Sequence, residues 1–416
     1  MIMKKFIPIL LAVLFCSFAI GQTWHQVGVP TTEQLNVIHF VQNGFGVGYI
    51  GGNNGVLLKT YDSGTTWEAV NYTGINAAGP IHFKDLQFVD PDVGFATLEG
   101  TIGLYKTIDG GSTWIELDDP SMGAFCYRST LHVIDENHFF VGGAGCFQST
   151  MIFEYNNGVW SEKMDDHETF NAMHYVKDIQ FRGNLGIASV NSDVILRSTD
   201  GGQNWNQVST LIPDPSYHLT DIIIVNDTLV FAGHELYSGE YLWFQSNDAG
   251  ATWWVAQPLG GDVIFYASWF AFKKGTNGYL YSSASQAAGP HYMHQMDLNS
   301  AWSYEMVNEK ILSIDAYGNN YVYGVGENGY VIRNFPVVGV EGNENINISI
   351  FPNPGNEKIT IEYPGQASFE ITDANGRMIE TLDVADQVTI NVSNWQKGGY
   401  FVKSSNEGIV KKLIVN

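Results

Sequence analysis

The chain is 416 residues long, with a formal charge of −23 and 44% hydrophobic residues. That length can bury a sizeable core, and the acidic balance argues against nucleic acid and anionic membrane surfaces as partners, since both need clustered lysine and arginine. Forty-five glycines, 24 phenylalanines, 21 tyrosines and 11 tryptophans, without long helix-like apolar repeats, indicate an all-β class of short strands and tight turns.

The first segment reads as an address. Lys4 and Lys5 precede an apolar run over 6–20, and the small residues Ala19 and Gly21 end it, so residues 1–21 are expected to be a signal peptide. A lipoprotein anchor on Cys16 is the rival reading, against which Phe15 stands where a small residue is needed. Beyond the leader only Cys126 and Cys146 remain, and in an exported chain they either form a disulfide or stay as buried thiols. No C-x-x-C or His/Cys cluster suggests a metal site, and no cofactor is expected.

The body is built on a repeat. Residues 107–114 read T-I-D-G-G-S-T-W, and T-Y-D-S-G-T-T-W at 60–67, S-T-D-G-G-Q-N-W at 198–205 and S-N-D-A-G-A-T-W at 246–253 follow the same pattern. A turn explains it. Asp62, Asp109, Asp200 and Asp248 accept nearby backbone N–H groups, and Gly64, Gly111, Gly202 and Gly250 supply a positive φ. Trp67, Trp114, Trp205 and Trp253 then enter the next strand as buried anchors. With Trp160 and Trp302, where the turn has decayed, successive tryptophans step by 47, 46, 45, 48 and 49 residues, a period suited to one four-stranded propeller blade. Seven units begin near Leu35, Phe83, Tyr127, Val176, Leu219, Ala267 and Lys310. The seventh lacks its last strand, and T-W-H-Q-V at 23–27 looks like the missing piece, so Trp24 is expected to complete that blade and close the ring.

These repeats resemble the BNR or Asp-box family, found in sialidase-like propellers, the sortilin ectodomain, xyloglucanase-type glycosidases and photosystem II assembly factors. The resemblance covers 22–335 and implies a seven-bladed β-propeller closed by an N-terminal strand. It implies no activity, because enzymes and non-enzymes share the turn. After a linker at 336–345, alternating strands with Gly and Asn turns over 346–416 read as a small C-terminal β-sandwich. F-P-N-P at 351–354, the Asp373-x-x-Gly376 turn, Gly399-Tyr400 and Lys411-Lys412 resemble the type A C-terminal sorting domain of the type IX secretion system. That resemblance implies the type IX secretion machinery as a partner, export to the medium or outer cell surface, and removal of the tail on arrival.

A sialidase needs an arginine triad and a tyrosine nucleophile. The repeat region holds only Arg128, Arg182, Arg197 and Arg333, and the last two sit at a repeat position just before the turn, so that activity is not expected. Aligning the innermost strands puts Asp85, Asp178 and Asp221 at one position, with Val37, Thr130, Trp269 and Ile311 in the other units. Neighbouring carboxylates with split pKa values would give a glycosidase its acid and base; the favoured reading is that each caps a turn or faces channel water. Three positions earlier come Gln34, His82, Tyr127, Tyr175, His218, Tyr266 and Asn308, joined by Phe125, His174, Tyr217 and Trp269. These groups either form a rim suited to sugars or extended peptides or simply pack the loops. The expected function is a monomeric, noncatalytic binding scaffold for a glycan or protein ligand, with a carbohydrate-active hydrolase as the alternative.

Overall fold

The computed structural model describes residues 24–42, 46–76, 79–99, 103–117, 125–146, 149–165, 174–191, 194–209, 217–236, 243–256, 272–274, 279–285, 291–297, 302–317, 321–334, 348–373, 377–404 and 410–415. The expected signal peptide and linker lie outside them. The fold is all-β: among the described residues the strands form seven four-stranded sheets and one five-stranded sheet.

Each four-stranded sheet is an antiparallel meander. The first runs Leu35–Phe40, Gly48–Gly52, Leu57–Thr60 and Glu68–Ala69. Later sheets begin with Phe83–Phe88, Phe125–Asp135, Val176–Arg182, Tyr217–Ile224 and Phe272–Lys274. The last takes Ile311–Tyr317, Tyr321–Gly326 and Val331–Asn334 in order and receives its fourth strand from Trp24–Gln26, with Trp24 opposite Asn334 and Gln26 opposite Ile332. Alternation along the strands buries one set of side chains between successive sheets. Tyr49 and Leu57 of the first sheet share a cluster with Phe83, Phe88 and Trp114 of the second, while Phe40 and Trp67 share another with Tyr317, Tyr323 and Val325 of the last.

The Asp-box turns repeat one hydrogen-bond pattern. Thr60, Thr107, Ser198 and Ser246 each donate a hydroxyl to the Asp two residues on, at 2.8–2.9 Å, and accept the N–H of the Gly four residues on, at 2.8–3.0 Å. The Asp carboxylate then accepts the N–H of Thr66, Thr113, Asn204 or Thr252 at 2.8–3.0 Å. Two left-handed residues in succession make the turn, for example Gly201 and Gly202 at φ 73° and 83°. The indole N–H of Trp114, Trp205 and Trp253 closes it by donating to the Gly carbonyl at 3.0–3.1 Å.

The tail differs from a pair of independent sheets. Its five strands form one hydrogen-bonded sheet, in which the long strand Lys358–Asp373 pairs on one side with Met378–Asn391 and on the other with Ser349–Phe351 in its first half and Gly398–Ser404 in its second. A register shift between Tyr363 and Gln366 separates the halves. Both contribute to one core, with Ile359 and Ile361 from the first and Phe369 and Ile371 from the second. Asn353, inside F-P-N-P, donates to the Lys412 carbonyl and accepts from Ile414 N–H, both at 2.8 Å, so that motif clamps the last strand Val410–Val415.

Candidate functional site

In five of the four-stranded sheets the first strand carries polar side chains that reach the backbone of the next sheet, among the described residues. Asp85 accepts Leu86 N–H on one oxygen and Leu131 N–H on the other, both at 2.7 Å, and the second also takes the Thr130 hydroxyl at 3.2 Å. Two residues on, the Gln87 amide accepts Val133 N–H at 3.0 Å and donates to Leu131 C=O at 2.6 Å, imitating a strand neighbour. Asp178 repeats the first arrangement, with Ile179 N–H at 2.8 Å and Ile222 N–H at 2.9 Å. Between the last sheet and the first, Ser313 accepts Ile38 N–H at 3.3 Å, and Asp315 accepts Phe40 N–H at 2.6 Å and Ala316 N–H at 2.8 Å. These bonds satisfy N–H groups that would otherwise be stranded where one sheet meets another.

A cavity of about 520 Å³ opens along these strands and brings together Asp85, Asp178 and Asp221 with Asp315, Tyr127 and Tyr175. Lys84, Lys177 and Lys310 line it too, with Glu99 and Glu327. Tyr127 and Tyr175 meet edge to face at 5.1 Å, and the Lys177 ammonium lies 5.1 Å from the Tyr175 ring centre. Burial pushes the Asp85 carboxyl up to about 6 against the opposing pull of the Leu131 N–H bond, and the nearby Asp178 adds to the rise. Burial also raises Asp178, which hydrogen-bonds the Asp221 carboxyl. A hydrogen bond between two carboxyl groups requires a proton on one of them. The same low-dielectric surroundings lower Lys84, with Lys177 as a further cause, and raise the phenol of Tyr127.

The sequence alignment holds for most sheets and slips in one. Gln34, His82 and Tyr175 each present their carbonyl to the N–H of Asn53, Glu99 and Asn191, and in the last sheet the residue doing so is Lys310, with Glu327. The bulge that precedes Asp85 and Asp178 falls between Ile311 and Ser313. Lys310 and Ser313 therefore replace Asn308 and Ile311 as the equivalent residues. Of the rim candidates, Gln34, Tyr127 and Tyr175 line the cavity, while His82 and His174 do not. Tyr266 and Trp269 lie outside the described residues, as do the side chains of Phe125, Tyr217 and His218. Cys146 is disulfide-bonded; Cys126, whose side chain is likewise outside the described set, stands on the paired strand beside it. Among the described residues no group of three or more His, Cys, Asp and Glu could hold a metal ion. Gln87, Ser313 and Asp315 escaped sequence reading, although the shared D-x-Q-F of 85–88 and 178–181 was a signal.

Residues 349–416 match the family described as secretion system C-terminal sorting domain. The tail is a secretion sorting domain. Such a domain marks its chain for type IX export to the outside of the cell. Residues 17–124 match the photosynthesis system II assembly factor YCF48 family, so both matches fall where the motifs had pointed. A comparison with curated proteins finds no match. Among solved structures, YCF48 from Cyanidioschyzon merolae is 17% identical with a TM-score of 0.59, over 76% of this chain and 99% of that one. YCF48 bound to D1 peptide gives 16% and 0.57, over 76% and 97%. The GH74 xyloglucanase from Xanthomonas campestris gives 10% and 0.59, over 82% of this chain and 59% of the xyloglucanase. At these identities the likeness is one of fold: the repeat region is propeller-like.

Proposed function

We propose that the chain is an exported, noncatalytic scaffold whose seven sheets are the blades of a ring closed by strand Trp24–Gln26, and which holds an extended segment of a protein partner at its channel mouth. The observation that carries this reading is how the inner carboxylates are used. Asp85 and Asp178 each commit both oxygens to backbone N–H groups of their own sheet and the next. Asp178 is also tied to the neighbouring Asp221 carboxyl, whose hydrogen bond opposes the rise that burial causes. What is left facing the cavity is an amphipathic lining, Tyr127 and Tyr175 beside Lys84, Lys177 and Glu99, which suits backbone amides and mixed side chains. The relative solved with a bound peptide favours a protein ligand over a glycan.

The test is binding of the full chain to peptide and glycan arrays, followed by titration of the best peptide against Tyr127→Ala. An affinity lowered about ten-fold by that variant supports the reading, as expected for a central aromatic contact. Unchanged binding, or oligosaccharide cleavage that disappears in Asp85→Asn, overturns it.

A further inference from the structure

The sorting domain has a face that its own core does not need. Along strand Gly398–Ser404, Tyr400 and Val402 belong to the core of the tail. Phe401 lies between them and faces the other way. An isolated domain would leave that ring in water, yet Phe401 is 6% exposed. Its cover is the first sheet of the propeller-like region: the Tyr61 ring lies 6.0 Å away with the planes 15° apart. Lys412, paired directly across from Phe401, brings its ammonium to 5.0 Å from the same ring.

Tyr61 is itself held in place. It precedes Asp62 of the first Asp box, and the Lys59 ammonium lies 4.9 Å from its ring centre and 3.3 Å from the Pro91 carbonyl. Lys59 is 7% exposed, unusual for a lysine one residue from a surface turn. Burial pushes its ammonium down to about 8, with Lys412 adding to the fall and Asp92 and Asp109 opposing it. The charges are complementary. Glu68 and Asp92 act on Tyr61 from the propeller side, and the tail brings Lys403 and Lys412 on the face that carries Phe401.

We infer that the first Asp box is a docking site for the chain's own sorting domain, which seats Phe401 and Lys412 on Tyr61. The occupant is residues 349–416 and not a second protein, because the covered ring and the covering ring belong to one chain. The basic ending that resembles a sorting motif then has two faces: Leu413 and Val415 hold the core of the tail, while Lys412 meets the cargo. Removing the tail uncovers Tyr61 and Lys59 together, leaving an aromatic and cationic patch on an otherwise acidic surface. This site is separate from the channel, and its test does not depend on any channel ligand.

The experiment uses the full chain with Glu68→Cys and Lys403→Cys, which flank the contact and leave Tyr61, Phe401 and Lys412 in place, and a short bismaleimide, with Glu68→Cys and Thr389→Cys as control, since Thr389 is exposed at the far end of the long hairpin. Docking predicts intramolecular cross-linking of the first pair about ten-fold faster than the control, because a seated contact raises effective concentration above that of a free tether. Lys412→Glu in the first pair should slow it at least several-fold. Equal rates for the two pairs overturn the inference. Should the double-cysteine chain fail to fold, hydrogen exchange at residues 59–62 in the full chain decides: faster exchange in Lys412→Glu than in wild type supports docking, and identical exchange refutes it.

Discussion

Asp200 and Asp248 of the Asp boxes and Asp85 and Asp178 of the inner strands accept backbone N–H groups in nearly the same way and titrate in opposite directions. In the Asp boxes, Asp200 is held down to about 2 by the Asn204 side chain and N–H, and Asp248 to about 2 by those of Thr252. On the inner strands, Asp85 has comparable bonds at 2.7 Å and is pushed up to about 6, because burial outweighs them. The hydrogen bonds are alike and the solvent is not. A carboxylate at a wet turn keeps its hydration while gaining donors; one packed between sheets loses water first and recovers only part of the loss. The outer set therefore fixes local turns with little dependence on neighbours, and the inner set joins one sheet to the next at an electrostatic cost.

The largest effect expected from testing this contrast lies in neither carboxylate. The Asp-box turn delivers Trp253, 1% exposed and packed with Ile187, Leu219 and Phe244, so Trp253→Ala should cost about 3–5 kcal/mol in chemical denaturation. A loss below about 1 kcal/mol would mean that the turn, not its anchor, matters most.

Next comes the pH dependence of Asp85. Its folded pKa of about 6 lies above the ordinary carboxylate value, so its contribution is fully present below about pH 4 and is lost as pH rises through 6. The shift corresponds to up to about 3 kcal/mol across that window. Unfolding free energies from pH 4 to 8 should show the fall, and Asp85→Asn, which cannot ionise, should flatten it. A wild-type profile that rises over the same range would break the contrast.

The smallest effect is on the acid side. Asp248 has a depressed folded pKa, so its contribution is present above about pH 4 and disappears as pH falls toward 2. Because the group is exposed, solvent screens most of it. Asp248→Asn should shift only the acid limb of the profile, leaving the range above pH 5 unchanged.

Much of the fold was legible because its signals are local. The Asp boxes, their tryptophans and the strand around Trp24 are written within eight residues each, and the pairing of Trp24 with Asn334 follows from one missing strand. The inner strands were harder. Asp85 and Asp178 sit next to a bulge, and a bulge changes which residues correspond, so in the last sheet the reading slid from Ser313 to Ile311. The use of Asp85 could not be read at all, since Leu131 N–H is 46 residues away in sequence and belongs to the next unit. Periodicity says which face a residue occupies; it does not say whose amide waits there.

The pairing of Trp24–Gln26 with Val331–Asn334 also bears on when the molecule can become whole. Strands made at the two extremes of some three hundred residues must find each other, so among the described strand pairings this one carries the largest loop-closure entropy. Until it forms, Trp24 has no pocket beside Tyr281 and Val331–Asn334 has a bare edge. That edge is covered only by a segment more than three hundred residues earlier in the chain, so its protection depends on both ends of the repeat region being present at once.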